Sequence, residues 1–174
     1  MTKQEAEVPA PVVHVARIAT TESLSGLSQL QYHVGYEASN PSNIHFRIWR
    51  NSGGGKFANS WISLSEVEKA LANIPADGTF TAAALAPIAI GKSVNTSSFV
   101  GAALLSEGLI QRSEKVVRSY ERNPNTAEWW SDLRALIDGC VSLDVPPMDK
   151  PAGHNGGVTA KVKPGKKSVA ATYV

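Results

Sequence analysis

The segment of residues 79–122 constrains the fold more than any other, because glycines divide it into helical and strand-like pieces. A short apolar helix is predicted to end at Gly91, and Ser93 is placed to cap the free N–H groups of a second helix. This second helix is predicted to run about four turns and to end at Gly108, where glycine relieves left-handed backbone strain. Two strand-like runs, residues 109–112 and 115–121, follow. The segment therefore predicts two helices followed by a hairpin.

Residues 64–122 resemble the winged helix-turn-helix of bacterial regulators. The resemblance rests on the order of serine cap, helix, glycine and hairpin, with the letters EGLI at 107–110. A helix capped by Ser63 or Ser65 and continuing to Ile74 would be the first helix of that domain. The chain departs from the family pattern at Ser97 and Gly101, where a larger apolar residue usually packs inward. The helix that ends at Gly91 also carries an internal proline at position 87.

The resemblance implies double-stranded DNA as the ligand, because such regulators place the second helix and the wing against a duplex. The uncharged side chains expected to contact bases are Asn95, Thr96 and Ser98. The cations expected to hold phosphates are Lys92, Arg112, Lys115 and Arg118.

Residues 12–63 show the period-two alternation of half-buried strands. Apolar side chains at 30, 32, 34 and 36 alternate with polar ones or glycine, and the same holds for 44, 46 and 48. With strand-like runs at 12–18 and 57–63, the region predicts an antiparallel sheet of three or four strands. His33 and Arg47 are expected to lie opposite one another, on a face that we expect to be exposed.

A helix is predicted over residues 127–139, with Asn125 and Glu128 as its capping pair. Its large apolar side chains recur at helical spacing: Trp129, Trp130, Leu133, Leu136 and Ile137. Two alternatives explain this stripe. It either forms a homodimer through the Trp129–Trp130 helix or packs against the N-terminal sheet of the same chain.

The remaining residues, 144–174, are rich in turn formers and lysine, and they lack the apolar density to fold alone. We expect a disordered basic tail. The predicted fold class is α+β, with an antiparallel sheet at 12–63, a winged helix-turn-helix plus closing helix at 64–143, and the tail at 144–174.

Sequence motifs for catalysis are missing. There is no G-x-S-x-G elbow and no H-E-x-x-H, and the single cysteine, Cys140, has no histidine near it in sequence. The run Gly53–Gly55 before Lys56 lacks the earlier glycine and the following Ser or Thr of a phosphate loop. Two histidines on one sheet face lack a third ligand. We expect no enzymatic activity, no cofactor and no metal.

Two functions follow from these patterns. The first is a DNA-binding regulator of the winged-helix type, such as an accessory regulator of a phage or plasmid. The alternative is a non-enzymatic interaction module, an inhibitor or adaptor, that uses the winged domain or the Trp helix to bind a protein partner. The chain shows neither an apolar run of membrane-spanning length nor the apolar core of a signal peptide, so a cytoplasmic protein is expected.

Overall fold

The structure, a computed structural model, describes residues 11–145 and has an α+β fold, as predicted. The predicted tail falls almost wholly outside the described residues. The elements within them, in chain order, are β1 (Val13–Glu22), β2 (Gln29–Glu37), β3 (Ile44–Asn51), β4 (Ile62–Ser63), α1 (Leu64–Ala70), a 3-10 helix (Ala82–Ala89), α2 (Thr96–Ser106), β5 (Ile110–Arg112), β6 (Tyr120–Arg122) and α3 (Ala127–Asp138).

The four N-terminal strands form an antiparallel sheet in the order β1-β2-β3-β4. Its inner face consists of the alternating apolar residues of β2 and β3, and all of them are buried: Leu30, Tyr32, Val34, Tyr36, Ile44, Phe46 and Ile48. The alternation in the sequence therefore predicted this face. The fourth strand is shorter than expected, because only Ile62 and Ser63 pair with β3. The ring of Trp61 lies against the outer face of the sheet instead.

Helix α1 begins where the serine cap predicts. Ser63 Oγ accepts a hydrogen bond from the N–H of Glu66 at 3.1 Å, and the Glu66 carboxylate accepts one from the N–H of Ser63 at 2.8 Å. This reciprocal pair satisfies two N–H groups that the helix leaves free. The helix ends at Ala70, earlier than predicted. Arg122 donates to the carbonyls of Leu71, Ile74 and Pro75 beyond that end, so its guanidinium holds the turn that follows.

Helix α2 begins later than predicted. Its N-cap is Asn95, and the hydroxyl of Ser93 donates to the carbonyl of Lys56 at 2.7 Å instead of capping the helix by itself. The helix has 11 residues and ends before Gly108, whose φ of +71° is the left-handed conformation expected there. The segment with Pro87 forms a 3-10 helix. Proline has no N–H to donate within an α-helix.

The middle of α2, residues 99–104, is buried on nearly all sides, since it lies between the sheet and the 3-10 helix. Because Gly101 has no side chain, the β1–β2 turn and the 3-10 helix can both pack closely against α2. A Cβ at this position would lie 3.4 Å from Leu24 of the β1–β2 turn and 3.5 Å from Leu85 of the 3-10 helix. The small residue that departs from the family pattern therefore sits where α2 is packed from both sides.

One buried cluster joins the sheet to the helices, and it includes residues from both sides of position 63. Helix α3 closes this core with Trp129 and Leu133 buried. Its N-cap is Thr126, and the predicted side-chain cap from Asn125 is not formed. After α3 the chain returns to the sheet, where the N–H of Leu143 donates to the carbonyl of Val15 at 2.8 Å. No helix within residues 11–145 is long and apolar enough to cross a membrane.

Candidate functional site

A groove of about 760 Å³ opens where four segments of the chain meet: the β1–β2 turn, the start of the 3-10 helix, the start of α2 and the β5–β6 hairpin. Leu24, Phe99 and Tyr120 contribute apolar surface to it. Its polar side chains include those of Asn95, Ser98, Arg112 and Arg118. The lining contains two arginines and no carboxylate, so its electrostatic potential favours anions over cations.

The β5–β6 hairpin presents different charges on its two faces. Arg112 pairs with Tyr120 across the strands, so both lie on the groove face, with the guanidinium 5.9 Å from the ring centroid. Gln111 and Glu121 pair on the opposite face. Lys115 lies on that opposite face too, in a separate pocket that is also lined by Asp77. Arginine therefore faces the groove, while Lys115 lies among acidic neighbours.

A tight loop at the tip of the hairpin directs Arg118 toward the groove. Ser113 Oγ accepts hydrogen bonds from the N–H groups of Lys115 and Val116. Arg118 has a φ of +61°. A left-handed conformation costs a non-glycine residue roughly 1–2 kcal/mol and often marks a functional position. This loop also explains why β6 spans only Tyr120–Arg122 and does not begin at residue 115, as predicted.

The N-terminus of α2 forms another wall of the groove. Ser98 donates from its hydroxyl to the carbonyl of Asn95, and Asn95 donates from its amide to the carbonyl of Lys56 at 2.8 Å. The glycine-rich turn is thereby held against the helix start. The first turn of α2 contains no acidic residue. Its free N–H groups therefore add positive potential beside the two arginines.

The structure brings together four of the seven residues expected to bind DNA: Asn95, Ser98, Arg112 and Arg118. The other three lie elsewhere. Thr96 is only 1% exposed, so its hydroxyl does not reach the surface. Lys92 donates to the carbonyl of Ile88 at the end of the 3-10 helix, and Lys115 is on the far face of the hairpin. Tyr120 and the β1–β2 turn, which complete the groove, had no signal in the sequence because long-range packing places them there.

A second polar cluster lies on the outer face of the sheet. The guanidinium of Arg47 is sandwiched between the rings of Trp49 and Trp61, 4.5 and 4.3 Å from their centroids. Its Nη2 lies 3.0 Å from Nδ1 of His33, which is directly opposite in the strand register, as predicted. The expectation that this face is exposed was wrong, since His33 and His45 are both buried. The indole rings of Trp49 and Trp61 cover this face of the sheet, which the alternating pattern predicted to be exposed to solvent.

The contact with Arg47 fixes the tautomer of His33. Guanidinium groups only donate, so Nδ1 must accept and the proton must lie on Nε2. This Nε2–H group finds no acceptor among the described residues. Residues 11–145 contain no group of three or more His, Cys, Asp or Glu side chains that could hold a metal ion.

The buried histidine should make the fold sensitive to acid. Burial, with the nearby charge of Arg47, lowers the pKa of His33 to about 4 from its ordinary 6.5. Burial also lowers the pKa of His45, against the opposing charges of Glu37 and Glu66. Between pH 6.5 and 4 the unfolded chain binds the proton more readily than the folded one. We therefore expect the free energy of unfolding to fall by about 2–3 kcal/mol over that range because of His33, as measured by urea titration.

The matched control is His33→Gln, whose amide oxygen can accept from Arg47 but whose side chain does not titrate. The variant should lose stability less steeply than the wild type from pH 6.5 to 4, because the contribution of His33 is gone while the carboxylates remain. Identical pH profiles for the two proteins would contradict the assignment.

No family model matches the chain, and searches of curated proteins and of solved structures find no significant match.

Proposed function

We propose that this protein is a cytoplasmic DNA-binding regulator of the winged-helix type that serves a mobile element such as a phage or plasmid. Its binding surface is the groove together with the β5–β6 hairpin as a wing. The observation that carries the proposal is that Arg112 and Arg118 face one carboxylate-free groove at the positive end of α2. Phosphate neutralisation by such cations supplies most of the non-specific affinity for DNA.

Helix α2 has a smaller role than the recognition helix of a typical regulator. A helix that reads the major groove exposes one face along several residues. In this protein residues 99–104 are packed between the sheet and the 3-10 helix, so at the groove end of α2 only Ser97 and Ser98 of its first turn reach the surface. Base contacts from α2 are thus limited to Ser98 and Asn95, and the arginines dominate the affinity.

The test is the double variant Arg112→Ala plus Arg118→Ala, measured with duplex DNA over a salt series. Each lost phosphate contact lowers the salt slope by about one unit, so a drop of about two is expected. The affinity at low salt should fall roughly tenfold or more, since two counterion-releasing contacts are gone.

The control removes the same charge elsewhere. Lys69→Ala plus Arg134→Ala takes away two exposed cations that lie outside both the groove and the β5–β6 hairpin. This variant should keep nearly the full affinity and slope. If the two double variants behave alike, only net charge matters and the groove is not the binding site.

A second function is favoured by a separate observation. Leu27, Val94 and Val117 are among the most exposed large apolar side chains, and each lies within two residues of a groove-lining position. Exposed apolar side chains that lie near one another can mark a protein-interaction site. A protein-interaction module, such as an inhibitor or adaptor, would use this rim. The absence of any wild-type gel shift at low salt would favour this alternative over DNA binding.

A further inference from the structure

We propose that the groove holds an unpaired nucleotide, so that the protein binds single-stranded DNA in preference to an intact duplex. This inference rests on the proposed function and specifies its ligand. Three observations carry it: the shape of the groove, its apolar walls beside two arginines, and the burial of α2.

The shape of the groove suits an extruded nucleotide better than a duplex. Its volume of about 760 Å³ lies within the range of pockets that enclose small molecules. The backbone of a duplex is convex, and its bases are stacked inside, so it touches a groove like this one only at the rim. An unpaired nucleotide can enter and bury its base, as it does in proteins that bind single strands.

The chemistry of the walls matches the parts of a nucleotide. Leu24 is the partly exposed apolar wall of the groove, and Phe99 and Tyr120, only 8% and 5% exposed, lie behind it. Arg112 lies over the Tyr120 ring, so its exposed guanidinium offers the planar surface for the flat face of a base. Bases stack on aromatic side chains and on arginine without requiring a particular sequence.

The phosphate has its own partners at the edge of the same groove. Arg118 approaches from the hairpin, and the N-terminus of α2 approaches from the opposite element. No carboxylate lines the groove to compete for the arginines. Ser98 and Asn95 remain as hydrogen-bonding groups for the edge of a base.

The burial of α2 argues in the same direction. The sheet covers the helix face that would otherwise enter a major groove, since Leu24 and Tyr32 approach α2 from that layer. A protein that cannot insert this helix reads few base edges inside a duplex. Bases that are already unstacked remain accessible to the groove.

The experiment compares one fluorescent oligonucleotide of about 15 nucleotides, single-stranded and paired with its complement, by anisotropy at low salt. The wild type should bind the single strand roughly tenfold more tightly, the size of one stacking contact. Ala83→Trp places a large ring in the groove and should lower the affinity for the single strand to about that for the duplex, which removes the preference. Ala86→Trp is the control, because Ala86 is exposed on the same 3-10 helix outside the groove.

A second variant fills the groove from the opposite wall. Ser25→Trp lies in the exposed β1–β2 turn and should also remove the preference for the single strand. Thermal melts verify that each variant is folded. Equal or tighter binding of the duplex, with both groove-filling variants silent, overturns the single-strand inference but leaves the proposed function standing. Failure of the wild type to bind either DNA overturns both.

Discussion

Replacing Glu107 with alanine is expected to lower the free energy of unfolding by about 3–5 kcal/mol, because it leaves several buried donors without an acceptor. The Glu107 side chain is only 3% exposed. Its carboxylate accepts from Arg17 at 2.5 Å, from the hydroxyl of Tyr32 at 2.7 Å and from the indole N–H of Trp129 at 2.6 Å. These donors belong to β1, β2 and α3, so one carboxylate joins the sheet to two helices.

The hydroxyl of Tyr32 remains a donor at all ordinary pH values. Burial, supported by the neighbouring carboxylate, raises the pKa of Tyr32 well above its usual value. The contact with Glu107 is therefore not lost by ionisation of the phenol. Arg17 is partly exposed, so water can rehydrate its charge in Glu107→Ala. This limits the loss of unfolding free energy.

Urea titrations of two further variants isolate the effect of the buried carboxylate. Glu107→Gln keeps the shape and one acceptor oxygen, so its loss should be intermediate. Glu114→Ala removes an exposed carboxylate from the hairpin loop and should change stability by no more than about 0.5 kcal/mol. If Glu107→Ala costs no more than Glu114→Ala, the carboxylate does not hold the layers together.

Glu107 also shows what the sequence could and could not predict. The letters EGLI indicated the end of a helix, and that local prediction is confirmed by the left-handed Gly108. The spacing of residues says nothing about the partners of the glutamate, because Arg17 and Tyr32 lie far away in the chain. The sequence predicted a sheet region and a helical region, whereas their shared core depends on contacts that only the fold creates.

The same division between local and long-range effects runs through the rest of the chain. The alternation in β2 and β3 and the serine cap of α1, predicted as Ser63 or Ser65, depend on neighbours in sequence or strand, and both were predicted. The start of α2 was misplaced because the Ser93 hydroxyl bonds to Lys56, 37 residues away. The outer face of the sheet was predicted to be exposed because no local sequence pattern indicates that Trp61 covers it.

The candidate site was predicted in part for the same reason. Residues close to one another in the predicted helix and hairpin, such as Ser98 and Arg112, do line one groove. Helical periodicity alone could not show that Thr96 faces the core, since serine and threonine suit either side of a helix. Lys115 faces away from the groove because of the hairpin register and the loop at the hairpin tip. Amino-acid composition specifies neither.

Replacing Leu133 with alanine is expected to cost about 2–5 kcal/mol of unfolding free energy, the usual loss for a fully buried leucine. Leu133 is 1% exposed and belongs to the same buried cluster as the inner face of the sheet. Leu136 is only partly buried against that cluster, so its replacement should cost less. Arg134 is exposed on the same helix, and Arg134→Ala should change stability by no more than about 0.5 kcal/mol in the same urea titrations.

The concentration dependence of this loss decides between the two explanations of the α3 stripe. Leu133 and Trp129 already pack within one chain, so the penalty should be the same at high and low protein concentration. Trp130 is the residue left for a homodimer, because it is 40% exposed beside Trp129. If the penalty of Leu133→Ala grows on dilution and Trp130→Ala dissociates the protein in sedimentation, the helix is a dimer seam as well. Near-wild-type stability of Leu133→Ala at every concentration would contradict both explanations, since a leucine that packs against neither the sheet nor a second copy has no burial to lose.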